Sequence, residues 1–363
     1  MIHAYQFVVL AILSVAFLSC KSTDEGNMIR NDEPPAPLIY KVAFGSCSSE
    51  KHPLPIFHEV VKHQPDVFVF LGDNVYGDTD DMSVLRKKYH QLGDKPSYKA
   101  LRKEAEILAV WDDHDYGRND AGKNYPYKKA SKQVFLDFFE EPSDSDRFEH
   151  DGIYTSEFRK VGDKTIQFIL LDGRTFRDDL KKYDPTLSGR NSFYRWDYSP
   201  HIDTSMTLLG EKQWEWLEGV LCQPADFRIL ATGTQFGIEA NGYEAWANFP
   251  HEQERLVKLI KKTQANHLIA ISGDVHYAEI SKFENRHSYP IYDVTASGLS
   301  KKWRFATPNK NRIEGPVMDN HFGLLTINFT GNQPIVQVEV WDGTGNQRIE
   351  YTIPFEVISF SDS

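Results

Sequence analysis

Cysteine is scarce in this chain: Cys20, Cys47 and Cys222 are the only three among 363 residues. So few thiols exclude a disulfide scaffold, in which paired cysteines stand in for a core. Long apolar runs are missing too. The stretch from Phe7 to Leu18 is almost wholly apolar but shorter than the roughly 20 residues that span a bilayer. With a mean hydropathy of -0.50, the chain is not a polytopic membrane protein. Positive charge is in deficit, with 41 Lys and Arg against 52 Asp and Glu and a formal net charge of -11. Capture of duplex nucleic acid or of an anionic lipid surface relies on clustered cations, so neither is expected. There is no internal repeat and no low-complexity run outside residues 21–38.

What is present supports a folded enzyme-sized domain. Hydrophobic residues make up 40% and aromatics 13%, enough for a sizeable core. The apolar run ending in Leu18-Ser19-Cys20, followed by polar Lys21 to Glu25, resembles the lipobox of bacterial lipoproteins. That resemblance implies a signal peptide over 1–20, lipidation of Cys20 and an exported, membrane-anchored protein; a plain cleaved signal is the alternative. Residues 21–38, with Pro34, Pro35 and Pro37 among Asp, Glu and Asn, have the composition of a flexible tether. One domain is expected over 39–356, as a monomer. Cys222 reads as a small buried apolar residue, and no Cys47–Cys222 disulfide is expected.

Short runs rich in β-branched residues alternate with helical periodicity, the pattern of an α/β layered sheet. Strands are expected at about 40–45, 66–71, 107–111, 165–171, 227–232, 267–272 and 291–295, and helices over Pro53–His63, Met82–Leu92, Tyr127–Phe139, Gly210–Leu221 and Pro250–Thr263. The tail differs. Gly323–Phe329, Ile335–Asp342 and Gln347–Pro354 alternate apolar with polar residues around Gly-Asn turns, so they read as consecutive antiparallel strands. Between Arg174 and Met206 lies a long aperiodic stretch holding Phe193, Tyr194, Arg195, Trp196 and Tyr198, a composition that argues for a functional loop.

The chemistry gathers where strands end. Val42-Ala43-Phe44-Gly45 runs into Cys47, Val67–Leu71 into Asp73, Val110-Trp111 into Asp112-Asp113-His114-Asp115, and Ile269–Ser272 into Asp274 and His276. In open α/β sheets ligands bind beyond the carboxyl ends of strands, so these groups can converge on one edge. Each cluster alone has a bland reading as a helix cap, a hydrogen-bonding His or a buried Cys. Together they crowd carboxylates that need a cation to stay ionised. A donor set of Cys47 thiolate, Asp73 carboxylate and Tyr76 phenolate is strongly anionic, and it suits ferric iron best because Tyr is a known iron ligand. The oxygens of Asp112 and Asn119 suit calcium, magnesium or manganese, with zinc as a further candidate.

Phe44-Gly45-Ser46-Cys47, Gly72-Asp73-Asn74-Val75-Tyr76, Trp111–Asp115 with Asn119-Asp120, Leu171-Asp172-Gly173-Arg174 with Arg177, and Ser272-Gly273-Asp274-Val275-His276 resemble, in order, the motifs of the PhoD-like alkaline phosphatase/phosphodiesterase family. Trp246, Phe249 and Arg255 are similar to that family's aromatic and basic segment. The resemblance implies a metallophosphatase-like sandwich of two mixed sheets flanked by helices, with ferric iron and calcium at the site. It also implies that Cys47, Asp73, Tyr76, Asp112, Asn119, Asp274 and His276 are metal ligands. Gly173 stands where the family usually has Thr, and no arginine pair occurs in Met1 to Gln6 for twin-arginine export.

The expected reaction is hydrolysis of a phosphoester substrate by metal-bound hydroxide, with cations ionising the water and neutralising charge on the phosphoryl oxygens. Arg174 and Arg177 are expected to clasp the phosphoryl group, with ion pairs to Asp172, Asp178 or Asp179 as the alternative. His114 is expected to stabilise the transition state or protonate the leaving group, or else to orient a ligand. Asn74 and Trp246 are candidate substrate contacts, and Trp196, Tyr198, Tyr243 and Trp303 candidate pocket walls. Rival readings are a phospholipase-D-like lipid diesterase at the same metals and a non-catalytic metal-binding lipoprotein.

Overall fold

The computed structural model describes residues 37–183, 197–239 and 242–361. The chain divides into two units, Met1–Ala36 and Pro37–Ser363, and everything below concerns the second. Cys20, the expected signal and nearly all of the tether lie outside the described residues, as do Phe193, Tyr194, Arg195 and Trp196.

Two mixed sheets form the frame. The first has the order β13-β12-β11-β1-β2-β3 and the second β10-β8-β9-β7-β6-β5-β4. In the first, β1 (Ile39–Gly45), β2 (Val67–Leu71) and β3 (Glu106–Val110) run parallel. In the second, β5 (Lys164–Leu170), β6 (Phe227–Thr232), β7 (Leu268–Ser272) and β9 (Ile291–Ala296) do the same. The sequences explain the burial. Val-Phe-Val-Phe-Leu of β2 and Leu-Ile-Ala-Ile-Ser of β7 are buried at every position, as parallel strands covered on both faces require. The sheets pack on each other through β1 and β11 against β9 and through β2 against β6.

The C-terminal strands β11 (His321–Asn328), β12 (Ile335–Asp342) and β13 (Gln347–Pro354) extend the first sheet antiparallel, as their alternation leads one to expect. Along β12 buried and half-buried residues alternate strictly, so only one of its faces is fully covered. Helices α1 (Ile56–Lys62), α2 (Met82–Gly93), α5 (Lys128–Phe138), α6 (Glu211–Leu221) and α7 (Pro250–Thr263) fall where periodicity puts them. In α7 Pro250 occupies the first turn, where its missing N–H costs nothing, and Leu256, Val257 and Ile260 face the core.

Additional elements emerge: α3 (Pro96–Glu104), the one-turn α4 (Asp113–Tyr116), β4 (Thr155–Val161), β8 (Ala278–Phe283) and β10 (Arg312–Val317). β4 and β10 are sheet edges, where one flank is solvent and charged residues such as Glu157, Arg159 and Arg312 are tolerated. Cys222 is not buried: it caps the C-terminus of α6 and is exposed, while Cys47 is buried, and both are free thiols. Among the described residues no helix is long and apolar enough to cross a membrane.

Candidate metal centre

Strands β1, β2, β3, β5 and β7 all deliver polar loops to the same edge of the two sheets, and the loops touch. Cys47 Sγ lies 3.5 Å from Asp73 Oδ2 and 3.6 Å from the carbonyl oxygen of Asp274. The backbones approach so closely that a Cβ on Gly72 would sit 2.4 Å from Asp112 Cβ, and one on Gly273 2.6 Å from Ser46 Oγ. Only glycine fits there. The turns are left-handed at Cys47 (φ 62°), Asp73 (50°), Asp274 (77°) and His276 (56°). Non-glycine residues in that region cost about 1–3 kcal/mol each and persist only where the surroundings enforce them. Here the enforcement is visible: Cys47 N–H donates to Gly72 O, Ser48 N–H to Asp73 O, and His276 N–H to Ser297 Oγ at 3.0 Å.

Two subclusters result. In the first, Cys47 Sγ, an Asp73 oxygen and a ring nitrogen of His276 lie within 4.8 Å of one another, and the Tyr76 hydroxyl is 3.1 Å from His276 Nε2. In the second, Asp73, Asp113 and His114 form one such group and Asp113, Asp120 and Glu244 another. Asp73 joins the first subcluster to the second. Arg174 is buried within the second: its Nε donates to Asp112 at 2.6 Å, and Nη1 and Nη2 donate to the two Glu244 oxygens at 2.8 and 2.7 Å. Arg177 Nη2 reaches Glu244 at 3.2 Å and also donates to the Asp120 and Ala121 carbonyls.

Burial drives the electrostatics. It pushes the Asp73 carboxyl well above its usual range, with Asp113, Asp112 and Asp115 adding to the effect and His114 opposing it. Asp274 is raised by burial and by Asp112, Glu244 and Asp113, against the pull of Arg174. The Cys47 thiol and the Tyr76 phenol are raised by burial, then by the Asp73 charge on Cys47 and by Cys47 and Asp73 on Tyr76. Asp113 goes the other way, because Arg174 and His114 outweigh its desolvation. Burial and then Lys301 pull His276 down to about 4, leaving the neutral imidazole that binds metals. His114 rises to about 10: burial opposes this, but its 2.6 Å contact with Asp78 and the Asp73 and Asp113 charges prevail.

The donor set fits metal ions. Thiol, phenol, carboxylates and imidazole packed together and dehydrated can shed their protons together only around cations. Two buried oxygens, Asp112 Oδ2 and Asn74 Oδ1, are also without a hydrogen-bond partner in the described structure, as oxygens awaiting a hard cation would be.

Several expected roles change. Asn119 is exposed, whereas its neighbour Asp120 gathers with Asp113 and Glu244. Arg174 does not reach out for a phosphate, because three carboxylates hold its guanidinium in place. Arg177 is similarly engaged. Trp246 is wholly buried, donates to Thr232 Oγ1 and packs edge-on against Trp214 and Phe236, so it is a core residue and no substrate contact. Asn74 is buried and its amide nitrogen bridges Val110 O and Asp115, tying two ligand loops together. Tyr198 donates to Asp120, Tyr243 lies tilted against Trp303, and Trp303 packs edge-on against His276. Glu244 gave no sequence signal, lying in a loop among aromatics. Ser297 and His321 were silent as well. Ser297 Oγ lies 3.2 Å from Cys47 Sγ, and its N–H donates to His321 Nε2 at 3.0 Å, so this pair braces the thiol from behind.

Two mixed sheets sandwiched together, with metal-binding side chains meeting at the carboxyl ends of their parallel strands, define a metallophosphatase-like α/β protein. A sequence model of the PhoD-like phosphatase family matches residues 42–309, and the chain belongs to that family. It is 24% identical over 277 residues to alkaline phosphatase D of Bacillus subtilis (strain 168), a match covering 64% of this chain and 45% of that protein. The chain thus matches less than half of that relative's length. Among solved structures, that of PhoD superposes with a TM-score of 0.66 at 18% identity, covering 87% of this chain and 72% of the other. Purple acid phosphatase PPD1 from yellow lupin (Lupinus luteus) seeds does so with a TM-score of 0.56 at 14% identity, covering 89% and 56%. At these identities the structural likeness speaks for the fold.

Proposed function

We propose that the protein is a metal-dependent phosphoester hydrolase of the alkaline phosphatase/phosphodiesterase type, working with ferric iron and calcium. The observation that carries this reading is the sharing of Asp73 between a Cys47–His276 group and an Asp113–His114 group, an arrangement suited to neighbouring cations. Cys47, Asp73, Tyr76 and His276 would hold the iron; Asp112, Asp113, Asp120, Glu244 and Asp274 offer hard oxygens for calcium. Bound there, such cations supply Lewis-acid polarisation of the phosphoryl oxygens and an acidified water.

The chain's own residues do the rest. His114, its ring fixed by Asp78 and tilted against Tyr76 at 4.4 Å, donates a proton to the departing alkoxide. Arg174 holds Asp112 and Glu244 in register rather than touching the ester. No covalent enzyme intermediate is needed. We read residues 1–20 as a lipoprotein signal, 21–38 as a tether and 39–356 as a single catalytic domain exported and anchored through Cys20.

The test is a substrate panel of aryl monoesters, aryl diesters, nucleotides and phosphatidylcholine, run before and after exhaustive chelation. Turnover of aryl esters that vanishes on chelation, and in Asp73→Asn with the fold retained, is expected. Activity that survives chelation would contradict the reading, and hydrolysis confined to phosphatidylcholine would redirect it to a lipid diesterase.

A further inference from the structure

Arg174 is held by carboxylates and Arg177 by Glu244 and backbone carbonyls, and a further cation stands at the rim of the site. Lys301 places its ammonium 4.4 Å over the Tyr76 ring and, among the described residues, forms no ion pair. It belongs to the segment 299–305, Leu-Ser-Lys-Lys-Trp-Arg-Phe, between β9 and β10. That segment is fastened to the ligand loops. Leu299 N–H donates to Ser46 O, Ser300 N–H to Cys47 O, Ser49 N–H to Ser300 Oγ, and Trp303 N–H to His276 O. Its side chains are therefore positioned by the same turns that position the metal donors.

Trp303 packs edge-on against His276 at 5.6 Å and near Tyr243 at 5.1 Å, and Phe305 stacks on it at 5.7 Å with 30° between the rings. Phe305 is 45% exposed. Trp303 and Phe305, near-parallel, make a small aromatic ledge beside the metal donor His276, with Tyr243 tilted against Trp303. Lys302 and Arg304 of the same segment are exposed, Lys302 paired with Asp319. An acyl chain would need a continuous apolar groove, whereas an aromatic ledge in the same segment as the Lys301 ammonium suits a flat ring attached to an anion.

We propose that Lys301 and Trp303 form the leaving-group side of the active site, Lys301 binding a phosphoryl oxygen and Trp303 stacking on an aromatic ring of the esterified alcohol. The favoured substrates are then nucleoside and aryl phosphates. This inference rests on the phosphoesterase reading above. Water adds to phosphorus, the ester P–O bond breaks, and the ring-bearing alcohol leaves across the ledge.

Thymidine 5′-phosphate and glycerol 3-phosphate separate ring recognition from reactivity, since both are esters of primary alcohols. With the metal-loaded full chain, Trp303→Ala should raise KM for the thymidine ester about 10-fold while leaving that for the glycerol ester within about twofold. Lys301→Gln should lower kcat/KM for both esters alike, by about 10-fold. Metal content and circular dichroism equal to wild type qualify each variant. As a check that needs no variant, thymidine should inhibit glycerol phosphate hydrolysis competitively where 2-deoxyribose does not. Equal KM changes for the two esters in Trp303→Ala, or no difference between thymidine and deoxyribose as inhibitors, would overturn the subsite alone. Failure of the wild type to hydrolyse both of these esters and the aryl diesters as well would overturn the phosphoesterase reading and the subsite with it.

Discussion

The two halves of the metal centre solve the same problem differently. Around Asp112, Asp113 and Glu244 a buried guanidinium already offsets part of the negative charge, and Asp113 is held ionised as a result. Around Cys47, Asp73 and Tyr76 no arginine intrudes among the described residues, and burial raises the pKa of all three. A half that brings its own cation can bind a weak Lewis acid and exchange it. A half whose only cations among the described residues are the protonated His114 beside Asp73 and the Lys301 ammonium over Tyr76 stays ionised throughout only if the metal supplies further charge, which favours a strongly polarising ion. This contrast is the physical argument for two kinds of metal in one site.

Removing the shared carboxylate should erase the distinction between the halves. Asp73→Asn is expected to lower kcat by about 1,000-fold or more and to release metal from both groups, as measured by turnover and elemental analysis. A smaller effect comes from taking away the internal cation. Arg174→Met leaves Asp112 and Glu244 buried without a partner, a loss of about 3–5 kcal/mol of stability that thermal melts will report. Excess calcium should recover part of it, whereas the iron half should be unmoved.

The smallest effect concerns the brace behind Cys47. His321 is buried, and burial pulls its pKa from 6.5 to about 4. A lowered imidazole pKa means the unfolded chain binds the extra proton first. Above about pH 6.5 the residue is neutral in both states and neither helps nor harms. As pH falls from there toward 4 the folded state is progressively disfavoured, by about 2 kcal/mol at pH 5. His321→Gln, which cannot titrate, should show a shallower loss of stability between pH 7 and pH 5 in urea unfolding. A parallel slope would mean that the ring is not held neutral.

The sequence carried the layered fold and the edge at which chemistry gathers, because buried parallel strands read as apolar runs and their loops as polar clusters. β2 running into Asp73 and β7 into Asp274 are instances. What it could not carry is which of several adjacent polar groups turns inward. Asp120, with a left-handed backbone (φ 58°), gathers with Asp113 and Glu244, while Asn119 beside it is exposed. Arg174 looked like a phosphate clamp because an arginine beside a strand end carries no mark of the carboxylates it will meet, and its main partner, Glu244, lies 70 residues away. Trp246 is adjacent to the site in sequence but not in contact with it: its indole points between Trp214 and Phe236. The edge strands β4 and β10 escaped notice because edges tolerate charge that breaks the apolar pattern.

The central claim is that anionic side chains from the two sheets share metal ions of unlike kind. Elemental analysis combined with the visible spectrum of protein purified without added metal tests it most directly. The account predicts iron together with a second cation, and a charge-transfer band that Tyr76→Phe abolishes. A colourless protein free of both ions, hydrolysing esters undiminished after chelation, would contradict it.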